Sequence, residues 1–181
     1  MRMNILLIDN NDSFTRNLEH LLVSAVAGCN VDIKPYSRLD SLEYSAYDLI
    51  IISPGPGEPA EYPGYKRIFN ADKPVLGICL GMQIINELHG GATGRLNGCV
   101  HGKTDIIKFD GTKRVVARYH SLKVTMVSSK LDILAVNRDD VVMCLGNAEK
   151  RLLGYQFHPE SFMTPDGGGY IAFALHFLGL N

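Results

Sequence analysis

The sequence predicts an open, doubly wound α/β fold with a mostly parallel sheet, helices on both faces and antiparallel β additions. Three apolar runs, at residues 4–9, 48–53 and 73–78, are typical of buried parallel strands. Helical patterns alternate with these runs as far as residue 89, and this alternation favours a parallel sheet. Because no linker, repeat or low-complexity stretch divides the chain, we predict a single domain over residues 1–181.

The first helix and second strand are predicted from local patterns. Apolar residues recur on one helical face from Ser13 to Val26, and Asp12 or Ser13 would be a good N-cap for this helix. The run at residues 31–36 is expected to form a short strand.

After Gly90 the sequence changes to short β-rich runs, which we interpret as antiparallel additions to the sheet. Asp110–Gly111 and residues 137–140 are turn signals between them. A closing helix is expected at about Tyr170–Leu178, after three consecutive glycines. The β-rich runs are 104–109, 113–119, 122–127, 132–136, 141–145 and 152–157.

The composition argues against several classes of function. Eighteen Lys and Arg residues against 19 Asp and Glu residues give a net charge of −1, which offers no electrostatic surface for nucleic acid or an anionic membrane. The N-terminal apolar run is too short for a signal peptide or a membrane span. The four cysteines are scattered without a CxxC pair, which favours a reduced, cytoplasmic protein.

Cys79 is predicted to lie where a strand ends and a helix begins, between Gly77 and Gly81. Small neighbours allow a tight, strained turn and the close approach of a ligand, as in a nucleophile elbow. The N–H dipoles at a helix N-terminus favour the thiolate. Taken alone, a cysteine is more often a packing residue than a nucleophile.

A cysteine nucleophile needs a base, and the chain has six histidines. Three of them lie within or near helical patterns, so His101, His120 and His158 remain. His158 follows an apolar strand and precedes Pro159, which is expected to keep the chain extended. In an extended segment residues two apart point the same way, so Glu160 could orient His158. A strand-end histidine next to a solvated glutamate would have the same spacing.

The Pro- and Gly-rich stretch at residues 53–59 is either a simple turn or part of a site. In the functional interpretation, its glycine N–H groups face Cys79 as oxyanion donors, and the Leu80 N–H is the second donor. Gln83 lies one helical turn beyond Cys79 and could bind the polar end of a substrate. The stretch at residues 53–59, the turn at Cys79 and residues 9–14 all follow the carboxyl ends of predicted strands. Open α/β sheets bind ligands outside these ends.

Two other kinds of site compete with a cysteine nucleophile. Asp9 and Asp12 resemble the acidic pocket of a receiver-type signalling domain, but that pocket needs another aspartate where this chain has Ser53 and Pro54. A metal site built from Cys79 and the three remaining histidines is unsupported, since no pair has a local metal-binding spacing.

The chain resembles the class I (triad) glutamine amidotransferases, and within them the small glutaminase subunit of anthranilate or aminodeoxychorismate synthase. The resemblance covers nearly the whole chain and implies a flavodoxin-like fold. It is carried by six motifs in the family's order: DNNDSFTRNL, SPGPGEP, GICLGMQ, HGKT, RYHSL and FHPES.

The resemblance also implies a mechanism. Cys79 would attack the side-chain carboxamide of glutamine, His158 would take the thiol proton and pass it to the leaving ammonia, and Glu160 would orient the imidazolium. Water would then hydrolyse the glutamyl thioester to glutamate, and His120 would be a neighbour of the pocket. The implied oxyanion and glutamine-binding residues are Gly55, Pro56, Gly57, Leu80, Gln83, Ser121 and Leu122.

The implied partner is a separate, chorismate-binding synthase subunit that consumes the ammonia. Mg²⁺ is expected on that subunit, and no cofactor on this chain. The product is left open: anthranilate for tryptophan, or 4-amino-4-deoxychorismate for folate. Asn11 and Arg16 depart from the family pattern near the expected partner contact, and the 104–118 region is shorter than the family norm. A free-standing glutaminase or another cysteine hydrolase is the alternative enzyme.

Overall fold

In the computed structural model, the protein is built around a seven-stranded mixed sheet. The structure describes residues 2–180, except for the side chains of residues 97, 99 and 100. The strands are β1 (Asn4–Asp9), β2 (Asn30–Pro35), β3 (Leu49–Ile52), β4 (Val75–Ile78), β5 (Ala92–Phe109), β6 (Thr112–Met126), β7 (Asp132–Val136), β8 (Val142–Asn147) and β9 (Leu152–Tyr155). The helices are α1 (Thr15–Ala25), α2 (Lys66–Phe69), α3 (Leu80–Leu88) and α4 (Gly167–Phe177).

The strand order of the main sheet is β2-β1-β3-β4-β9-β8-β7. The first five strands in this order are parallel, and β8 and β7 extend the sheet in antiparallel pairing. The predicted mostly parallel, doubly wound sheet is therefore confirmed.

The interpretation of every run after Gly90 as an antiparallel addition is wrong for three strands. β9 pairs parallel with β4 and is buried along its whole length, as expected for a strand covered on both faces. β5 and β6 form a second, two-stranded antiparallel sheet, because they satisfy each other's backbone hydrogen bonds along a long hairpin. The predicted runs 113–119 and 122–127 both lie in β6, apart from Val127, which follows its last residue.

The core has two halves, one on each face of the sheet. In β1, Ile5 and Leu7 face the half that packs against α1 and α4, whereas Leu6 and Ile8 face the half that includes α3. All four side chains are fully buried. Burial on both faces explains why the strand is a continuous apolar run.

The predicted N-cap of α1 is wrong. Phe14 occupies the cap position, and its side chain makes no capping hydrogen bond. The carboxylate of Asp12 accepts the N–H of Phe14 at 2.7 Å, and that of Asp9 accepts the hydroxyl of Thr15 at 2.7 Å. Both carboxylates are therefore used to order the turn before the helix.

The turn signals are confirmed. Asp110 and Gly111 have φ values of 47° and 75° and join β5 to β6 through the pair Phe109–Thr112. This two-residue turn suits the twist of a hairpin, and it closes the short 104–118 region without a longer loop. In the described part of the chain, no helix has the length and apolar character needed to cross a bilayer.

Candidate active site

Cys79 lies at the carboxyl end of β4 and is the N-cap of α3. Its φ of 53° and ψ of −101° are rarely adopted by residues other than glycine. A Cβ on Gly81 would lie 2.5 Å from the Ile52 carbonyl oxygen, and a Cβ on Gly77 would overlap the Gly81 backbone. The strained turn predicted at Cys79 is confirmed, and the two glycines allow α3 to pack directly against the strands.

His158 and Glu160 meet at the carboxyl end of β9. Nδ1 of His158 lies 2.6 Å from Oε1 of Glu160, and both side chains are buried. The expected extended segment is wrong, because Pro159 and Glu160 lie in a turn, closed by the Ser161 N–H donating to the His158 carbonyl. The Thr164 hydroxyl donates to the same carbonyl at 2.7 Å and fixes this turn.

The electrostatics of the pair favour a charged imidazole. Burial lowers the pKa of His158, but the Glu160 charge, its hydrogen bond and the neighbouring Cys79 sulfur together raise it well above 6.5. Nε2 of His158 has no hydrogen-bond partner among the residues described. The imidazole is thus held by the carboxylate at one ring nitrogen only.

Two aromatic rings hold the imidazole in place. The Phe14 and Tyr119 rings lie 5.5 and 5.0 Å from the His158 ring, centroid to centroid, and 5.1 Å from each other. The Tyr119 hydroxyl also contacts the Ser161 hydroxyl at 3.1 Å, which ties β6 to the turn that carries Glu160. Tyr119 was not predicted as a site residue.

The glycine-rich loop after β3 packs directly against the start of α3. A Cβ on Gly55 would lie 2.6 Å from the Cβ of Asn10 and 2.8 Å from Cδ2 of Leu80. Asn10 anchors the loop: its N–H donates to the Ser53 hydroxyl at 3.0 Å and its side-chain amide donates to the Ser53 carbonyl at 2.9 Å. Gly57 has a φ of 75°, which favours glycine.

A pocket of about 480 Å³ joins these elements. Its lining contains Cys79 and His158, whereas Glu160 lies behind the imidazole and outside the lining. The pocket brings together every predicted oxyanion and glutamine-binding residue: Gly55, Pro56, Gly57, Leu80, Gln83, Ser121 and Leu122.

His120 lines the same pocket but is already occupied at both ring nitrogens. Nδ1 lies 2.7 Å from the Leu122 carbonyl, and Nε2 accepts from Nε of Arg118 at 3.0 Å. Burial and the Arg118 charge lower the pKa of His120 to about 4, so this imidazole is neutral at pH 7. Asp105 pairs with Arg118 at 2.6 Å. His120 is therefore poorly suited to act as a base.

Gln156 is a site residue that the sequence reasoning missed. It is fully buried, its Oε1 accepts from Nε2 of Gln83 at 3.0 Å, and its Nε2 lies 3.6 Å from Sγ of Cys79. The available signal was a polar residue at the end of an apolar strand run, where a buried amide needs partners. No group of three or more His, Cys, Asp or Glu residues in the described part of the chain is placed to hold a metal ion.

By fold and site geometry, the chain is a doubly wound α/β protein with a buried cysteine at a strand-to-helix elbow. The family follows from comparison with known proteins: the model of the class-I glutamine amidotransferases matches residues 6–176, and the chain belongs to this family. The resemblance inferred from the six motifs is confirmed.

Three named relatives are similar to this chain over at least 90% of its length. The chain is 37% identical to anthranilate synthase component 2 of Helicobacter pylori, covering 97% of this chain and 98% of that protein. It is 39% identical to component 2 of Archaeoglobus fulgidus, covering 90% and 92%. It is also 39% identical to aminodeoxychorismate synthase of Streptomyces griseus, covering 94% of this chain but 25% of that protein.

A solved structure shows the same fold at low sequence identity. A putative GMP synthase subunit from Thermoplasma acidophilum superimposes with a TM-score of 0.85 at 18% identity, covering 99% of this chain and 95% of that one.

Proposed function

We propose that the chain hydrolyses L-glutamine to glutamate and ammonia through a glutamyl thioester on Cys79. One observation carries the proposal: a cysteine in a positive-φ elbow shares a pocket with a histidine whose far nitrogen is held by a buried glutamate. Membership in the glutamine amidotransferase family supplies the substrate class.

In the first half of the reaction, His158 takes the proton of the Cys79 thiol, and the thiolate attacks the carboxamide carbon of glutamine. The electron pair of the carbonyl moves onto oxygen. Backbone N–H groups of Gly55 or Gly57 and of Leu80 are the proposed donors to this oxyanion. When the tetrahedral intermediate collapses, His158 returns its proton to the nitrogen, and ammonia leaves the thioester.

In the second half, a water molecule gives a proton to His158 and attacks the thioester carbon. Collapse of the intermediate breaks the carbon–sulfur bond, releases glutamate and restores the thiol. Glu160 accepts a hydrogen bond from Nδ1 throughout, so Nε2 is the nitrogen that faces the reacting groups.

Glutamine would be held by groups along the pocket wall. The Leu122 carbonyl accepts from Nδ1 of His120 and from Nε2 of Gln83, which fixes the backbone of Ser121 and Leu122. This fixed backbone is the proposed contact for the α-amino and carboxylate end of glutamine.

The ammonia would be delivered to a chorismate-using synthase subunit, which would carry the Mg²⁺. The names of the component 2 relatives support a partner of this kind. Relatives from both pathways match at 37–39% identity, so anthranilate and 4-amino-4-deoxychorismate both remain candidate products. We propose a cytoplasmic location for the complex.

The test is to reconstitute the chain with its synthase partner and measure product formation from glutamine and from ammonium. Cys79→Ala should abolish glutamine-dependent synthesis and preserve ammonium-dependent synthesis. Cys29→Ala, which changes a buried cysteine outside the pocket, should preserve both. Retention of glutamine-dependent synthesis by folded Cys79→Ala would refute the proposal. Rapid glutamine hydrolysis that no chorismate-using partner alters would support a free-standing hydrolase.

A further inference from the structure

Gln156 lies between the candidate nucleophile and a candidate substrate-binding residue. Its side chain is inaccessible to solvent, and its amide bridges Cys79 and Gln83. Its backbone N–H donates to the Met143 carbonyl at 3.0 Å, so the neighbouring strand holds the residue in place. A bridging amide can be oriented in two ways, and only one of them presents an N–H to the sulfur.

The orientation is set by the Leu122 carbonyl, which accepts hydrogen bonds from two side chains. Arg118 can only donate, so Nε2 of His120 must accept, and Nδ1 of His120 must carry the proton given to the Leu122 carbonyl. This carbonyl can only accept, so Gln83 turns its NH₂ group toward it. The same NH₂ group donates to Oε1 of Gln156.

The remaining end of the Gln156 amide is therefore an NH₂ group, and it faces Sγ of Cys79 at 3.6 Å. Reversing Gln156 would set its NH₂ group against that of Gln83, and two donors would then face each other with no acceptor.

We propose that Gln156 donates a hydrogen bond to the Cys79 sulfur, with a polarity imposed by the Leu122 carbonyl through Gln83. An N–H aimed at sulfur stabilises the thiolate more than the thiol. It also holds Sγ at one position relative to the oxyanion donors. For catalysis this role rests on the proposed glutaminase function, but the contact itself can be tested without glutamine.

The test is the rate of alkylation of Cys79 by iodoacetamide as a function of pH, followed by mass spectrometry of the peptide that contains Cys79. Gln156→Met keeps the side-chain length but removes both the donor and the acceptor. Loss of a hydrogen bond to a charged group should slow alkylation at pH 7 by about tenfold or more and displace the profile to higher pH. Gln156→Asn, whose amide is too short to reach the sulfur, should show the same change if Gln156→Met folds poorly.

Asn86→Leu is the matched control. Asn86 is also a fully buried amide on α3, but it bonds to the Met126 carbonyl and the Ser128 N–H, away from Cys79. Its loss should reduce stability and leave the alkylation profile unchanged. If folded Gln156→Met or Gln156→Asn alkylates like wild type, the proposal is overturned.

Steady-state kinetics separate this contact from the proposed function. In the reconstituted complex, kcat of Gln156→Met should fall in parallel with its alkylation rate. Gln83→Met, which removes the donor that orients Gln156, should lower kcat as well as raise KM for glutamine. If Gln156→Met changes the alkylation profile but the wild-type complex hydrolyses no glutamine, the contact stands and the glutaminase assignment is rejected.

Discussion

Gly55→Ala tests the loop that we propose to bind the oxyanion. Gly55 is not among the glycines with a positive φ, so the effect of an added methyl group is steric. That methyl carbon would lie 2.6 Å from the Asn10 Cβ, 2.8 Å from the Leu80 Cδ2 and 3.2 Å from the Asn10 carbonyl oxygen. The loop must therefore move away from Asn10, and the Leu80 side chain must also shift. This movement displaces the backbone N–H groups of the loop, which are proposed oxyanion donors.

Gly55→Ala is expected to reduce both the stability of the fold and the rate of glutamine hydrolysis. Overpacking of this kind costs about 1–3 kcal/mol of stability. Misplacing one oxyanion donor costs about 10²–10³ in rate, so kcat for glutamine hydrolysis should fall at least about a hundredfold. Urea unfolding measures the first effect, and steady-state hydrolysis by the reconstituted complex measures the second.

Gly168→Ala is the matched control, because a Cβ there, in the first turn of α4, would meet no atom within 4 Å. It should leave kcat unchanged and raise stability by about 0.5–1 kcal/mol. A folded Gly55→Ala variant with wild-type kcat would refute the proposed position of the oxyanion donors.

Two further predictions concern charged groups. Glu160→Gln should retain measurable glutaminase activity, since the imidazole of His158 can still adopt a productive tautomer part of the time in that variant, whereas His158→Ala should retain almost none. Equal and total loss of kcat/KM in both folded variants would contradict an orienting role for Glu160. Asp105→Asn should lower the free energy of unfolding by about 3 kcal/mol at pH 7, measured with urea, because the Arg118 charge stays buried. Burial raises the pKa of Asp105, but hydrogen bonds from Asn137 and the Ile106 N–H, with the Arg118 charge, lower it below 3.8 overall. Its stabilisation is thus fully present above the unfolded-state pKa and is lost as the pH falls through the folded-state pKa. The stability difference between wild type and variant should begin to shrink below about pH 4 and disappear below the folded-state pKa; a constant difference would contradict this.

The parallel core and the elbow could be predicted because their signals are local. Continuous apolar runs indicate buried strands, and Cys79 between two glycines indicates a tight strand-to-helix turn. The pairing of β5 with β6 could not be predicted, since an amphipathic run shows that a strand forms but not which strand it pairs with.

In the candidate site too, local features could be predicted from the sequence, whereas contacts between distant parts of the chain could not. The motif spacing placed Glu160 beside His158, but the extended conformation was wrong because the φ of proline suits both an extended segment and a turn. Gln156 and Asn10 escaped prediction because a buried amide is identified by its partners, which come from distant parts of the chain.

The most direct test of the central claim is to treat the chain with the glutamine analogue 6-diazo-5-oxo-norleucine and map the modified peptide by mass spectrometry. Cys79 as the nucleophile toward glutamine predicts one label per chain, on Cys79, and no label in Cys79→Ser. Labelling at Cys29, Cys99 or Cys144 with Cys79 unmodified would contradict the account.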